Sequence, residues 1–520
     1  MAKHIVIDPV TRIEGHLKIE AVVDDGVVKE ARSSGTLWRG LEVILQGRNP
    51  LDAQRITQRI CGVCPSAHAT ASTLNLDSAF GVDDKIPDNG RIMRNLIFGS
   101  NFLQSHILHF YHLTALDYVD VTAVAGYTGD DPKLRQVSQF IDNGNLAPFV
   151  PRYEGDYRLP KEVNISATRN YVEALEMRRL THELLAIFGG HMPHNMSMVP
   201  GGCTEQVSVD KIADFRWRLE KVRYFIDNVY IPDVLAVAGV YDDYFAIGGG
   251  VGEYLAYGVF ELDSKEPDLT KRARLFPGGR VSMKDLKPQP FDPKQITEQV
   301  SHSYYSSESN LHPSVGETVP QFGKDGAYSW LKSPRYDGNV YEVGPLARQV
   351  NAYVRGVQPT VDLVNSVLSH FNAPASALQS TLGRHAARAI EAKIVADKMA
   401  EWVLELKPGE PTFVQYEVPE TGMGMGLTDA PRGALGHWIE LEDHKIKNYQ
   451  AVVPTTWNGG PRDDKGQPGP FEQALEGTKV RDAENPFELV RIVRSFDPCL
   501  ACAVHVVDAH NNEMGKFVVS

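Results

Sequence analysis

The chain has 520 residues, a mass of 57.6 kDa and a formal charge of −13, with a pI near 5.7. Its 42% hydrophobic and 23% charged content is that of a globular protein, which excludes a disordered chain or a fibre. The acidic balance argues against nucleic acid as a partner, and no run of about 18 apolar residues marks a membrane helix. The N-terminus, MAKHIVIDPVTRIEGH, lacks the basic-then-apolar pattern of a secretory signal.

In chain order, HLKIEAVV alternates Leu17, Ile19 and Ala21 with Lys18 and Glu20. Asp24-Asp25-Gly26 supplies a turn and VVKEA returns, which predicts a hairpin. From about residue 36 the pattern becomes helical, with LWRGLEVILQG and LDAQRITQRI separated by a loop at Asn49-Pro50. A long helix is expected over 91–118, where Leu96, Leu103, Ile107 and Phe110 recur near helical spacing. Others are expected over 167–188, 211–229, 361–371 and 384–406, with Gly189-Gly190 as a stop. Residues 240–345 are rich in Gly, Pro and Ser and read as loops with short strands. The tail from about 435 returns to strand-like runs, HWIELED, HKIKNYQAVV and VRIVRS. These features predict one α+β unit over 1–520, a large helical bundle core flanked by small β-sheets formed from the N- and C-terminal regions.

Five cysteines are too few and too odd in number for a disulfide framework. Cys61 and Cys64 form a CxxC in RICGVCPSAH, and Cys499 and Cys502 form another in DPCLACAVH. Each pair can turn two sulfurs toward one point, so the two together offer four thiolates to one metal site. A redox dithiol, half of a zinc knuckle, or two unrelated structural pairs are the alternatives. Zinc ribbons space their pairs by about 15–20 residues, whereas these stand at opposite ends of the chain, and no βαβ pattern marks a thioredoxin-like motif. Cys203, in PGGCT, reads as a buried structural thiol.

RICGVCPSAH and DPCLACAVH resemble the two metal-binding signatures of the large, catalytic subunit of nickel–iron hydrogenases, of the group 1 uptake type and in unprocessed precursor form. TRIEGH at 11–16, RGLEVIL at 39–45, HFYHL at 109–113, VGPLAR at 343–348, LGRHAAR at 382–388, APRGALGHW at 430–438 and VVPTTWN at 452–458 resemble that family too. The resemblance runs along essentially the whole chain. It implies reversible heterolytic cleavage of dihydrogen to protons and electrons. It further implies nickel held by Cys61, Cys64, Cys499 and Cys502. Cys64 and Cys502 would also bridge to an iron that carries one carbon monoxide and two cyanides. With cysteine at 499, the chain is not the selenocysteine variant.

By the same resemblance, Arg432 overhangs the open metal position and Asp497 is its carboxylate partner. Thr455 donates to a cyanide, Glu14 is the first proton carrier beyond Cys499, and His68 donates to a cysteine sulfur. Read without the resemblance, these are a salt-bridge arginine, a turn aspartate before Pro498, a strand threonine, an exposed hairpin glutamate and a core histidine. Glu42, the backbone carbonyl near Ala451, and His505 resemble the ligands of a buried magnesium or similar divalent ion. Residues 506–520 resemble a C-terminal propeptide that a maturation protease removes after nickel insertion. One departure stands out: many relatives have an aspartate where this chain has Ser105, so either Asp497 alone neutralises Arg432 or the local network differs. His106, His109 and His112, at i, i+3 and i+6, read as packing and hydrogen-bonding residues rather than ligands.

The chain has no spare cysteines for iron–sulfur clusters. An obligate small subunit carrying them is therefore expected, with a membrane cytochrome or another electron acceptor reached through it. Export with that partner would give a periplasmic or membrane-associated location without a signal on this chain, and a cytoplasmic enzyme would read the same.

Overall fold

The N-terminal alternation forms a three-stranded antiparallel sheet of β1 (Lys3–Ile7), β2 (Leu17–Asp24) and β3 (Val27–Gly35). Leu17, Ile19, Ala21 and Val23 are buried and the residues between them are not, which is the two-residue period of a half-buried strand. Asp25 and Gly26 make the turn with positive φ. The computed structural model describes residues 2–503, apart from the side chains of Pro148, Cys502 and Ala503. His505, the expected propeptide 506–520 and the Cys502 thiol lie outside the described residues.

The helix expected from residue 36 begins later, because Gly40 adopts a left-handed conformation. Only the short α1 (Leu41–Leu45) and α2 (Leu51–Thr57) form there. The next helix, α3 (Pro65–Ala79), is made of small residues buried on nearly every side, so it has no polar face for periodicity to report. The long central helix is α4 (Asp88–Leu108). It was expected to run to 118, but passes into a π turn at His109–Thr114 and a 3₁₀ turn at Ala115–Asp117. The Thr114 hydroxyl donates to the carbonyls of His109 and Phe110, which competes with the regular ladder.

The bundle continues with α5 (Pro132–Asp142), α6 (Lys161–Gly189), α7 (Val209–Phe225) and α8 (Ile231–Val240). Gly190 ends α6 with φ 88°, as its position predicted. Then come α9 (Pro345–Val354), α10 (Thr360–His370) and α11 (Thr381–Glu405). The core forms where α4 packs on α6 and α11, and α7 closes over both. The strands between α6 and α7, and those between α8 and α9 where the Gly and Pro content of residues 240–345 predicted them, are all short. They are β4 (Met198–Val199), β5 (Gly202–Cys203), β6 (Glu253–Ala256), β7 (Val259–Glu261), β8 (Arg274–Phe276), β9 (Gly279–Ser282), β10 (Ile296–Gln299) and β11 (Ser333–Tyr336), paired in twos.

A second three-stranded antiparallel sheet follows, made of β12 (Gly422–Ala430), β13 (Gly433–Glu442) and β14 (Lys445–Val452). Helix α3 lies directly on it. A Cβ on Gly426 would stand 2.0 Å from the Ala71 carbonyl oxygen, and one on Gly424 would stand 2.1 Å from that of Asn75. The alternating glycines of β12 therefore admit the helix backbone itself.

The chain ends in α12 (Pro454–Gly459), α13 (Pro470–Leu475), α14 (Phe487–Ser495) and α15 (Leu500–Ala503). Here one expectation is corrected: VRIVRS is not a strand but the body of α14. Leu489, Ile492, Val493 and Phe496 recur at i, i+3, i+4 and i+7 and are all buried. The interleaved arginines imitate alternation because they are buried as well, Arg491 against Asp156 and Arg494 against Asp117. No helix among the described residues is long and apolar enough to cross a membrane.

Candidate metal centre

Cys61 follows a 3₁₀ turn in extended conformation, and Cys64 is the N-cap of α3 with Pro65 at its first position. The tight turn between them directs the backbone N–H groups of Val63 and Cys64 at Cys61 Sγ, each at 3.3 Å. Donors aimed at a sulfur favour its thiolate form. Cys499 arrives from the other end of the chain through a parallel bridge with Glu14. Glu14 N–H donates to the Pro498 carbonyl, and Leu500 N–H donates to the Glu14 carbonyl at 2.7 Å. Gly15 makes this approach possible: a Cβ there would lie 2.6 Å from Ala501 N. Arg39 clamps the same junction, donating to the carbonyls of Ile60 and Ala501.

The outcome is three sulfurs, of Cys61, Cys64 and Cys499, all within 4.8 Å of one another and all buried. Cys61 and Cys499 Sγ are 3.1 Å apart, too far for a disulfide bond. As thiolates, three buried sulfurs at such distances would repel one another and need a cation to be stable. The set is soft, closely grouped and dry, which fits a thiophilic metal ion. Cys502, predicted as the fourth ligand, lies in α15 three residues on; its thiol is outside the described residues.

Arg432 is near enough to this group for all three sulfurs to act on its charge. Its Nε donates to the Asp497 carbonyl and its Nη2 to Asp497 Oδ1, both at 2.9 Å, with both residues buried. Burial alone would weaken the guanidinium charge, but Asp497 and the thiolates of Cys499, Cys64 and Cys61 outweigh it and hold the group well above its ordinary pKa. Nη1 is buried without a hydrogen-bond partner among the described residues, so one donor is left for an acceptor at the centre. Asp497 itself has φ 61°, a left-handed conformation that asparagine and aspartate tolerate best. Ser105 is buried and its Oγ makes no hydrogen bond among the described residues, so Asp497 takes the pairing. Arg388, from the LGRHAAR stretch, adds a second cation. Burial lowers its guanidinium to about 10, with nearby Asp497 opposing, while its Nη1 donates to the Ser495 carbonyl.

The other predicted residues also gather here. Glu14 Oε2 lies 3.3 Å from Cys499 Sγ, which donates to it, and accepts from Ala501 N–H at 2.9 Å. Burial and the Cys61 thiolate push this carboxyl up to about 7, against those hydrogen bonds and the charge of Arg432. An exposed hairpin glutamate would show none of this. Thr455 is in the first turn of α12, not in a strand, and its Oγ1 accepts from Cys499 N–H at 3.0 Å. His68 is on α3 one turn beyond Cys64 and is buried; burial lowers it to about 4, with Cys61 opposing. The three histidines of α4 and its π turn separate: His106 meets Glu391, His109 the Arg494 carbonyl and His112 the Tyr171 carbonyl. They share no ligand point, as the packing reading expected.

Glu42 lines a separate cavity of about 40 Å³ with Glu298, Lys332, Tyr449 and Ala451. Its Oε1 accepts from Ala451 N–H at 2.9 Å and its Oε2 from the Thr318 hydroxyl. Glu42 thus meets Ala451 through its N–H, which leaves the expected ligand carbonyl near Ala451 a separate group. Lys332 Nζ donates to Glu298 Oε2 and Gln450 Oε1, each at 3.0 Å. An oxygen-rich pocket with two carboxylates fits a hard divalent ion. Sequence reasoning missed Thr318, Glu298, Lys332 and Gln450, which lie far apart in the chain and belong to no motif.

The family described as nickel-dependent hydrogenase matches residues 39–505, and one described as HoxL-like matches residues 4–34. The periplasmic [NiFeSe] hydrogenase large subunit of Desulfomicrobium baculatum is 44% identical over 524 residues, covering 98% of this chain and 96% of that protein. The hydrogenase-2 large chain of Escherichia coli K12 is 37% identical over 568 residues, covering 99% of each. Among solved structures, the Ni-Fe-Se hydrogenase of D. vulgaris Hildenborough in its reduced state superimposes with a TM-score of 0.86 at 45% identity, over 97% of this chain and 100% of that one.

Proposed function

The chain belongs to the nickel-dependent hydrogenase family, and from that premise we propose that it is the catalytic large subunit of a nickel–iron hydrogenase that cleaves dihydrogen reversibly and passes the electrons to an iron–sulfur small subunit. The observation that supports this most is the convergence of Cys61, Cys64 and Cys499 within 4.8 Å, close to the charge of Arg432 and beside Glu14. In this reading Cys61, Cys64, Cys499 and Cys502 would hold the nickel, and Cys64 and Cys502 would also help to hold an iron carrying carbon monoxide and cyanide. When bound, such a centre supplies the Lewis acidity that polarises dihydrogen and the redox levels that accept its electrons.

The protein groups do the rest. Asp497 holds the Arg432 fork by two hydrogen bonds, so Nη1 is presented without rearrangement, the condition for electrostatic preorganisation. Cys499 Sγ and Glu14 Oε2 are within direct proton-transfer distance, and a carboxyl with a pKa near 7 takes and gives a proton at little cost. Thr455 fixes the Cys499 backbone, and its own hydroxyl proton is available to a cyanide. His68 is assigned as donor to a cysteine sulfur. Glu42, Ala451 and His505 are assigned to a magnesium or similar ion.

Two of the similar proteins are named for selenium, whereas this chain has cysteine at 499. The remaining assignments are a maturation protease that removes 506–520, an acceptor such as a membrane cytochrome reached through the small subunit, and a periplasmic or membrane-associated location like that of the periplasmic relative. Residues 1–520 are treated as one unit. Purification with the small subunit, followed by elemental analysis, intact mass and hydrogen-dependent dye reduction, tests the reading. Nickel plus iron, a mass lacking the tail, and dye reduction are expected; zinc in their place would overturn it.

A further inference from the structure

The VGPLAR stretch puts Arg348 on α9, where its side chain is fully buried. Nε and Nη2 donate to the two carboxylate oxygens of Glu391 on α11, at 2.9 and 2.6 Å, a bidentate pair. Nη1 donates to the Ala430 carbonyl at 2.8 Å and to Asp429 Oδ1 at 3.3 Å, and Nη2 donates to the Pro431 carbonyl at 2.9 Å. These bonds occupy every N–H a guanidinium has. The two carbonyls belong to the residues immediately before Arg432, in the tight turn between β12 and β13. The residue after Arg432 meets the start of α9 as well: a Cβ on Gly433 would stand 2.6 Å from Gly344 N. Both acids are held in turn. Asp429 Oδ2 accepts from Gly258 N–H at 2.6 Å, and His106 Nε2 is 2.9 Å from Glu391 Oε1.

Helix α11 also reaches the partner of Arg432. Arg388 and Glu391 are three residues apart and share one face of it. Arg388 Nη1 donates to the Ser495 carbonyl, two residues before Asp497. We propose that Arg348 is a positioning residue for Arg432. It fixes the backbone of the turn at 430–433 while Asp497 fixes the guanidinium, and α11 is the common mount of both segments, through Glu391 and Arg388. This rests on the functional reading above, which gives Arg432 its task. The physical reason is the length of the Arg432 side chain. Asp497 takes Nε and Nη2, so the place of Nη1 depends on where the backbone starts the side chain. A misplacement of about 1 Å can cost about 10²-fold in rate.

The test uses the complete enzyme as wild type, Arg348→Lys, Arg335→Lys, Arg432→Lys and the double variant Arg348→Lys/Arg432→Lys. Lysine keeps the charge opposite Glu391 but has three donors for the five acceptors. Arg335 is the control, equally buried, with bonds to Asp463, Pro334 and Gln467. Nickel and iron content, melting temperature, kcat per bound nickel, KM for the dye, and deuterium exchange of the 428–436 backbone are measured. Arg348→Lys is expected to lower kcat about 10- to 100-fold with KM unchanged, and to speed exchange at the turn. Arg335→Lys is expected to lower the melting temperature as well, but to leave kcat and that exchange at wild type. In the Arg432→Lys background, Arg348→Lys is expected to change kcat by less than about twofold, since a residue acting through Arg432 has nothing further to lose. Unchanged turn exchange or wild-type kcat in Arg348→Lys overturns the proposal. So does an equal kcat loss in Arg335→Lys, or the full loss repeated in the double variant. Should Arg348→Lys not fold or not load nickel, Glu391→Gln carries the test. Its amide oxygen keeps one of the two Arg348 bonds, so a smaller kcat loss with faster turn exchange is expected; wild-type values of either overturn the proposal. A wild-type enzyme without nickel and iron overturns the functional reading, whereas turn exchange judges the Arg348 clamp without the metals.

Discussion

Replacing Glu14 with glutamine removes a proton carrier while keeping its shape. The carboxyl contacts Cys499 Sγ at 3.3 Å and Ala501 N–H at 2.9 Å. The glutamine amide oxygen can still accept from Ala501, so at most one hydrogen bond is lost, about 0.5–1.5 kcal/mol. The chemical loss is larger. A positioned acid–base group contributes about 10²–10⁴-fold, and no water separates this one from the sulfur at 3.3 Å. Glu14→Gln is therefore expected to lower hydrogen-dependent dye reduction at least about 100-fold. Nickel and iron content and melting temperature are expected to stay near wild type. Glu14→Asp withdraws the carboxyl by about one bond length, about 1.5 Å, and is expected to fall between the two. A glutamine variant with full metal content and wild-type turnover would remove Glu14 from the proton route. Parallel loss of metal and turnover would make its role structural.

Asp497→Asn leaves the Arg432 charge buried without its counter-charge. Breaking such a pair costs about 3–5 kcal/mol. At about 2.1 cal/mol/K of unfolding entropy per residue, that lowers the melting temperature of this chain by about 3–5 °C, which calorimetry reads. Gly426→Ala drives a methyl to within 2.0 Å of the Ala71 carbonyl. It is expected to destabilise the protein by about 3 kcal/mol or more and to lower bound nickel, since α3 carries Cys64 at its start. Thr455→Val deprives Cys499 N–H of its acceptor, at about 1–3 kcal/mol, whereas Thr455→Ser keeps it; melting curves of the two should separate accordingly. Glu472 sets a pH dependence away from the centre. Burial raises its carboxyl from 4.5 to about 7, against hydrogen bonds from Ser33 N–H and the Tyr328 hydroxyl. A raised carboxyl stabilises the fold fully below the unfolded value and loses that contribution as pH rises through the folded value. Between pH 4.5 and 7 wild type should lose about 3 kcal/mol relative to Glu472→Gln; parallel stability-versus-pH curves would refute this.

Much of the chain was legible where one side of an element faces water. The hairpin of β2 and β3, and the helices α6 and α10, announced themselves through that contrast. It vanished for α3 and misled for α14, because both are buried on their polar sides too and a helix with no wet face has no telling period. The chemistry-bearing residues were likewise visible as short motifs, since two CxxC pairs need no fold to be noticed. The amino-acid sequence by itself pointed to the α+β class and offered the sulfur ligand types and a partner with electron carriers as expectations. Only the tertiary structure decided that Cys499 bridges to Glu14 across the whole chain, that Asp497 rather than Ser105 meets Arg432, and that His437 reaches His68. Those pairings join residues tens to hundreds of positions apart. For the first and the last of them, glycines at 15, 424 and 426 let backbones touch, a close approach that packing enforces and local pattern does not encode.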